Sequence, residues 1–310
     1  MSIKISGFYD EVSGKLDEQI AAIKELGQSY LCPRNIDGKN IADFTLEEFK
    51  ESVYPRLQAA GIGFSSIGSP IGKIGIDDEE GFVKQKKQLG ELVKIAALMQ
   101  CKYIRIFSFY YGDKEPESCR DKVVGRLKEF LAIAKDSGVT LMHENEKKIF
   151  GDVPARVLEL YDALSGEGLA FCFDASNYIQ CGADPKEAFD LLKDKVSYYH
   201  IKDCSRYGVE VPVGVGEGNY PYIIGELVKR GYDGFMTLEP HTFKYSMMKL
   251  PVYLVPFMPL VMKNYFKAFR HIDKAMGVKA LKHVSRKQVF FWQFENLKNL
   301  IEKVGKENEQ

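Results

Sequence analysis

The sequence predicts a single (β/α)8 barrel, and three observations predict it. Amphipathic stretches that end in glycine are followed at once by apolar runs, at Gly27, Gly61, Gly138 and Gly231. Glycine closes a helix in the left-handed conformation without steric cost, so each junction reads as helix, glycine, short loop and strand. The apolar runs number eight, and regular alternation with helices calls for a parallel sheet that eight strands can close. No GxGxxG follows the first run, where the competing fold, an open dinucleotide-binding sheet, places it.

Taken in order, the first strand is expected over residues 3–9, before a helix whose inner face carries Leu16, Ile20, Ile23 and Leu26. The second and third strands, 29–33 and 63–68, follow Gly27 and Gly61. The fourth, 102–108, leads to a helix with Val123, Val124, Leu127, Phe130, Leu131 and Ala134 on one face. The fifth is expected at 139–144, the sixth at 169–174, the seventh at 196–202 and the eighth at 234–239. Residues 242–286, rich in Met, Pro, Phe and Lys, form an extra segment before a closing amphipathic helix at 287–305. Residues 1–310 thus read as one barrel domain, with 242–286 inserted after strand eight as a lid or subunit contact.

Composition narrows the function. Lys plus Arg and Asp plus Glu number 43 each, so no overall field gathers a polyanion, and neither nucleic acid nor a membrane is expected as a partner. Residues 250–262 are strongly apolar but shorter than the roughly 20 residues of a membrane helix, and three prolines interrupt them. The six cysteines show no CxxC pair and read as reduced thiols; with no secretory leader at the start, a cytoplasmic location is expected.

A barrel of this kind builds its site where the strands end. Strand five ends in LMHENEK, six in FCFDASN, seven in YYHIKD and eight in MTLEPH, which brings Glu144, Asp174, His200 and Glu239 to one side of the mouth. A lone acid at a strand end more often caps a helix or faces solvent. Four ionisable groups ending four successive strands are another matter, because three close carboxylates repel unless a cation sits among them. Oxygen-rich ligation with one nitrogen suits Mn2+ first, then Mg2+ or Co2+, with Zn2+ less typical.

The motifs GFYDE at 7–11, SPIGK at 69–73, YIRIFSF at 103–109, HENE at 143–146, FDASN at 173–177, HIKD at 200–203 and TLEPH at 237–241 carry a resemblance. Over about residues 3–241, and in the last helix, the sequence resembles the xylose isomerase-like TIM barrel superfamily, in its sugar phosphate isomerase/epimerase branch. The resemblance implies the same four metal ligands and a small carbohydrate substrate. It also implies that Glu144 and Glu239 move protons on opposite faces of that substrate, next to a carbonyl, through a metal-stabilised enediolate. Glu11, Arg34, Lys73 and Arg105 stand at the mouth either to grip substrate or to form buried ion pairs. Asn177 takes a place where epimerases of this superfamily often carry histidine, while Lys202, Asp203 and His241 are expected to touch substrate or support the ligands. His143 should point away from Glu144 and pack behind the site.

Three other readings stay open. One is a lyase or dehydratase on a keto-sugar or 3-oxo-glycoside, since inosose dehydratases and the metal-bearing subunit of C-glycoside deglycosidases resemble this superfamily too. There a Met- and Phe-rich 242–286 lid can receive an aglycone or a partner subunit, although a homo-oligomer contact serves the same composition. A remote reading is an apurinic endonuclease-like repair enzyme, whose three-zinc design needs several histidines; this chain has five, two of them, His271 and His283, in the tail. The last is a sugar-binding or regulatory subunit on an inherited barrel.

Overall fold

The structure, a computed structural model, describes residues 3–308. The eight barrel strands are β1 (Lys4–Gly7), β2 (Tyr30–Leu31), β3 (Gly63–Phe64), β4 (Tyr103–Ile106), β5 (Thr140–Glu144), β6 (Ala170–Asp174), β7 (Tyr198–Ile201) and β8 (Phe235–Leu238). Six of them form a curled parallel sheet in the order β1-β8-β7-β6-β5-β4, and β2 pairs with β3. A few backbone bonds close the ring: Cys32 N–H donates to Gly7 O at 3.0 Å, Ile67 N–H to Tyr103 O at 2.9 Å and Arg105 N–H to Ile67 O at 2.9 Å. The second and third strands are therefore shorter than expected. Pro33 has no N–H to offer, and the stretch from Ser65 to Ser69 spends its hydroxyls on bonds across the barrel, such as Ser65 Oγ to Ser6 Oγ at 2.7 Å.

The helices that wrap the ring are α1 (Leu16–Glu25), α2 (Leu46–Ser52), α3 (Tyr54–Ala60), α4 (Glu79–Leu98), α5 (Pro116–Ala134), α6 (Pro154–Leu164), α7 (Ala175–Gln180), α8 (Pro185–Leu192) and α9 (Tyr220–Lys229). Their starts are written locally: Thr45, Asp78 and Asp184 each accept a backbone N–H of the first turn, and proline opens α5, α6 and α8. Their ends are too, since Gly27, Gly61, Gly138 and Gly231 all have positive φ, between 62° and 76°. The faces foreseen for α1 and α5 are the packed ones: Leu16, Ile23, Val123, Leu127, Phe130 and Ala134 are buried.

Beyond β8 come α10 (Phe243–Leu254), α11 (Met258–Val261), α12 (Lys263–Met276) and the long α13 (Arg286–Asn308). Helix α13 packs beside α9 and against the first strand's loop, where Phe290 lies 4.8 Å from Tyr9 and Arg286 donates to the carbonyls of Asp10 and Glu11 at 2.7 Å. It takes the place of the barrel's last outer helix. The three helices before it gather a separate small core, with Tyr245, Val252, Phe269 and Ile272 against Val209 and Val211 of a hairpin that follows β7.

Candidate metal centre

Strand geometry alone makes the four groups converge. Side chains two apart share a face, so Met142, Cys172 and Tyr198 fill one inner layer and Glu144, Asp174 and His200 lie in the next, toward the strand ends. Asp174 is in register with His200, and His200 with Thr237, two residues before Glu239. All four are buried, and one donor atom from each lies within 4.8 Å of the others. His200 Nδ1 is 2.8 Å from Glu144 Oε1 and 3.3 Å from Glu239 Oε2.

The surroundings hold these groups still. Phe8 and Tyr198 meet the His200 ring edge to face, at 5.2 and 5.8 Å. The Asn145 side chain clasps Asp174 from both sides: its Oδ1 accepts the Asp174 N–H and its amide donates to the Asp174 carbonyl, both at 2.9 Å. Asp174 Oδ1 accepts the Asn177 N–H at 2.9 Å and caps α7, which starts at the next residue.

Charge is balanced by cations that enter from neighbouring strands. Arg105 Nη1 is 3.0 Å from Glu144 and 3.4 Å from Glu239, and its remaining nitrogens donate to the carbonyls of Gly68 and Ser69. Lys202 Nζ is 3.0 Å from Asp174 Oδ2. Burial would raise Glu144, but His200 and Arg105 hold it down at about 2. Glu239 is likewise held well below the usual carboxylate range by Lys202 and Arg105 against its burial. Asp174 goes the other way: burial pushes it up to about 7 despite Lys202, and the carboxylates of Glu144 and Glu239 add to the rise.

These features fit a divalent cation. Asp174 Oδ2 and Glu239 Oε2 are buried and accept no well-formed hydrogen bond among the described residues. Asp174 and Glu239, with Glu144 and His200, offer the mixed oxygen and nitrogen set that suits Mn2+, Mg2+ or Co2+. Burial first, and then the repulsion of Glu144 and Glu239, lift Asp174, and a cation among the three carboxylates offsets both.

The other expected site residues divide into two groups. Arg34 reaches the cluster: it lies across the Phe8 ring, pairs with Asp10 and Glu11, and places Nη1 3.2 Å from both Glu239 Oε1 and His241 Nε2. His241 stands 3.2 Å from Glu239, about one-third exposed, with a left-handed φ of 51° that few non-glycine residues adopt. Lys73 pairs with Glu146 at 2.8 Å. Asn177, in contrast, is fully buried and donates its amide to the Asn145 carbonyl at 2.8 Å, so it braces the Asp174 clasp and offers no exposed group to a substrate. Asp203 faces away: its two oxygens accept the backbone N–H groups of Cys204, Gly214, Gly216 and Gly218 and anchor that loop. His143 packs behind the site as expected, its Nε2 2.9 Å from Ser108 Oγ, with burial pushing its pKa down to about 3. Asn145, Asp10 and Glu146 are the participants that the strand-end argument passed over. Asn145 and Glu146 stand in the HENE motif and Asp10 in GFYDE, but only the folded chain shows what their side chains hold.

Comparison with known proteins agrees with this architecture. The family model for xylose isomerase-like TIM barrels matches residues 20–251. No curated protein matches the sequence. Among solved structures, D-allulose 3-epimerase from a Methylomonas species is 14% identical with a TM-score of 0.66, covering 96% of this chain and 98% of that one. The probable 3-DHS dehydratase AsbF of Bacillus anthracis is 19% identical with a TM-score of 0.60, covering 77% and 92%. A xylose isomerase-like TIM barrel protein from Mycobacterium smegmatis, in complex with magnesium, is 17% identical with a TM-score of 0.62, covering 91% and 98%. At such identities the likeness is one of fold.

Proposed function

Because the chain belongs to the xylose isomerase-like TIM barrel family, we propose that it is a divalent-metal-dependent isomerase or epimerase of a small, uncharged sugar. Glu144, Asp174, His200 and Glu239 hold the ion, Mn2+ first among the candidates. When bound, the cation polarises the sugar's carbonyl and makes the neighbouring C–H more acidic. The chain's own residues do the rest. One of Glu144 and Glu239 removes the proton and the other returns it from the opposite side. The observation that carries this reading is the placement of these two glutamates, on β5 and just past β8, three strands apart around the mouth yet both within 3.3 Å of His200 Nδ1. His200 and Arg105 beside Glu144, and Lys202 and Arg105 beside Glu239, favour the ionised state that a base requires.

The uncharged substrate follows from pairing. Arg34, Lys73, Arg105 and Lys202, the cations at the mouth, are each already matched to a carboxylate, which leaves none of the four free for a phosphate. Arg34 and His241 at the partly exposed edge are the groups placed to take sugar hydroxyls, with Glu11 holding Arg34 in position. Six free thiols, five of them buried, fit a reducing cytoplasm.

A second reading, loss of a β-hydroxyl as water after the same proton abstraction, is favoured by one observation. His241 lies beside Glu239 and is exposed enough to donate a proton to a departing hydroxyl. The test is incubation with Mn2+ and a panel of ketoses, keto-glycosides and sugar phosphates in D2O. Deuterium next to the carbonyl in an intact, isomerised sugar supports the isomerase, and exchange followed by elimination supports the lyase. Exchange confined to phosphorylated sugars contradicts the uncharged substrate, and no exchange on any sugar removes the case for this chemistry.

A further inference from the structure

The formal charge of zero is the sum of two unlike parts. Residues 242–286 hold nine lysines and arginines against one acid, Asp273, so the rest of the chain is net negative by eight. Asp273 is buried, paired to Lys249 at 2.6 Å and bonded by the hydroxyls of Tyr245 and Tyr253, so it lends nothing to the surface. On α12, Lys263, Lys267, Arg270 and Lys274 recur at intervals of four, three and four and are all exposed, forming one stripe down the helix. The opposite face, with Ala268, Phe269 and Ile272, is buried in the small core.

Among the described residues none of these four cations forms an ion pair, although the cations at the barrel mouth are all paired. Like charges at this spacing repel, so the stripe opposes its own helix until an anion neutralises it. Just before it, residues 250–262 carry no charge. The chain turns there at Phe257, in the left-handed conformation, and leaves Phe257, Leu260 and Val261 exposed by 76%, 74% and 82%. An apolar knob that protrudes this far beside a cationic stripe has the two features by which a peripheral helix meets a lipid surface.

We propose that this knob and the α12 stripe dock the protein on an anionic lipid surface, the knob entering the boundary between headgroups and acyl chains. A second copy is disfavoured as the occupant, because a two-fold contact here sets two strongly cationic segments against each other. Nucleic acid accounts for the stripe but leaves the apolar knob in water. The neutral total charge conceals this surface, since it averages over the whole chain a field that is local.

The test uses the full chain and vesicles of phosphatidylcholine alone or mixed in equal parts with phosphatidylglycerol, in a flotation assay. The protein is expected to float with the phosphatidylglycerol vesicles only, and to be released by high salt. Charge reversal at Lys263, Lys267, Arg270 and Lys274 is expected to weaken binding at least about 100-fold, at roughly fivefold per charge. Phe257→Ser, Leu260→Ser and Val261→Ser together are expected to weaken it by about tenfold or more. Both variants should keep the circular dichroism spectrum and melting temperature of the parent, which separates lost docking from lost folding. Failure of the parent to bind, or binding that survives both variants, overturns the proposal. So does a dimer in sedimentation that the knob substitutions break, or an oligonucleotide bound as tightly as the vesicles and indifferent to the knob.

Discussion

Lys202 and Asp174 sit at the centre of the electrostatics and take opposite roles with and without a cation. In the metal-free chain Lys202 is the near positive charge for a carboxylate that burial has already pushed up to about 7. Lys202→Met is therefore expected to raise the Asp174 carboxyl further and to destabilise the metal-free protein increasingly as pH rises above 7, and much less once Mn2+ is added. Urea denaturation with and without the ion measures both. Glu144→Gln and Glu239→Gln remove the proposed bases while keeping shape, and each should lower deuterium exchange by about 100-fold or more, with metal content measured alongside because each is also a proposed ligand. A variant of either with normal exchange would sink the two-base mechanism. At this scale the four candidate ligands were legible, because each ends an apolar run in a motif of its own. The clasp by Asn145 and the bond by which Asn177 braces it were not, since both depend on where β5 and β6 lie side by side.

Turns and loops show the same division at the scale of the element. The junction glycines were readable because a left-handed residue is a local demand that only glycine meets cheaply. Gly72 is a sharper case: its φ is 89°, and a Cβ added there would overlap the Phe107 backbone. Gly72→Ala is expected to cost about 3 kcal/mol in chemical denaturation, because neither backbone can give way inside the barrel rim. Asp203 does for the loop at 214–218 what a cap does for a helix, gathering backbone N–H groups from three glycines. Asp203→Ala should loosen that loop, seen as faster amide exchange at Gly214, Gly216 and Gly218, while Mn2+ binding, measured by calorimetry, is expected to persist. Strand lengths were overestimated for β2 and β3. An apolar run reports burial, whereas a ladder also needs backbone partners in register, and Pro33 has no N–H to give one.

For the whole molecule, a cation that binds only the native state stabilises it by mass action, about 2.7 kcal/mol at a hundredfold excess over its Kd. Dialysis against a chelator is expected to lower the melting temperature by several degrees, and Mn2+ to restore it in the parent but not in a Glu144→Ala, Asp174→Ala double variant. The barrel's closure explains why such an ion would matter globally: the candidate ligands come from β5, β6, β7 and the end of β8, so one bound ion would tie four strands of the ring.

By itself the sequence determined the alternation of helix and strand, the closing glycines, the four strand-end candidate ligands and the charge-free run at 250–262. Each of these is a local statement, fixed by periodicity or by one residue's conformational freedom. Tertiary structure alone decided that Arg105 and Lys202 would neutralise the cluster, that Asp203 would turn outward to its loop, and that α12 would point its cations to solvent with no acid beside them. Those outcomes depend on distances between segments far apart in the chain, and a buried charge is worth what its neighbours make of it.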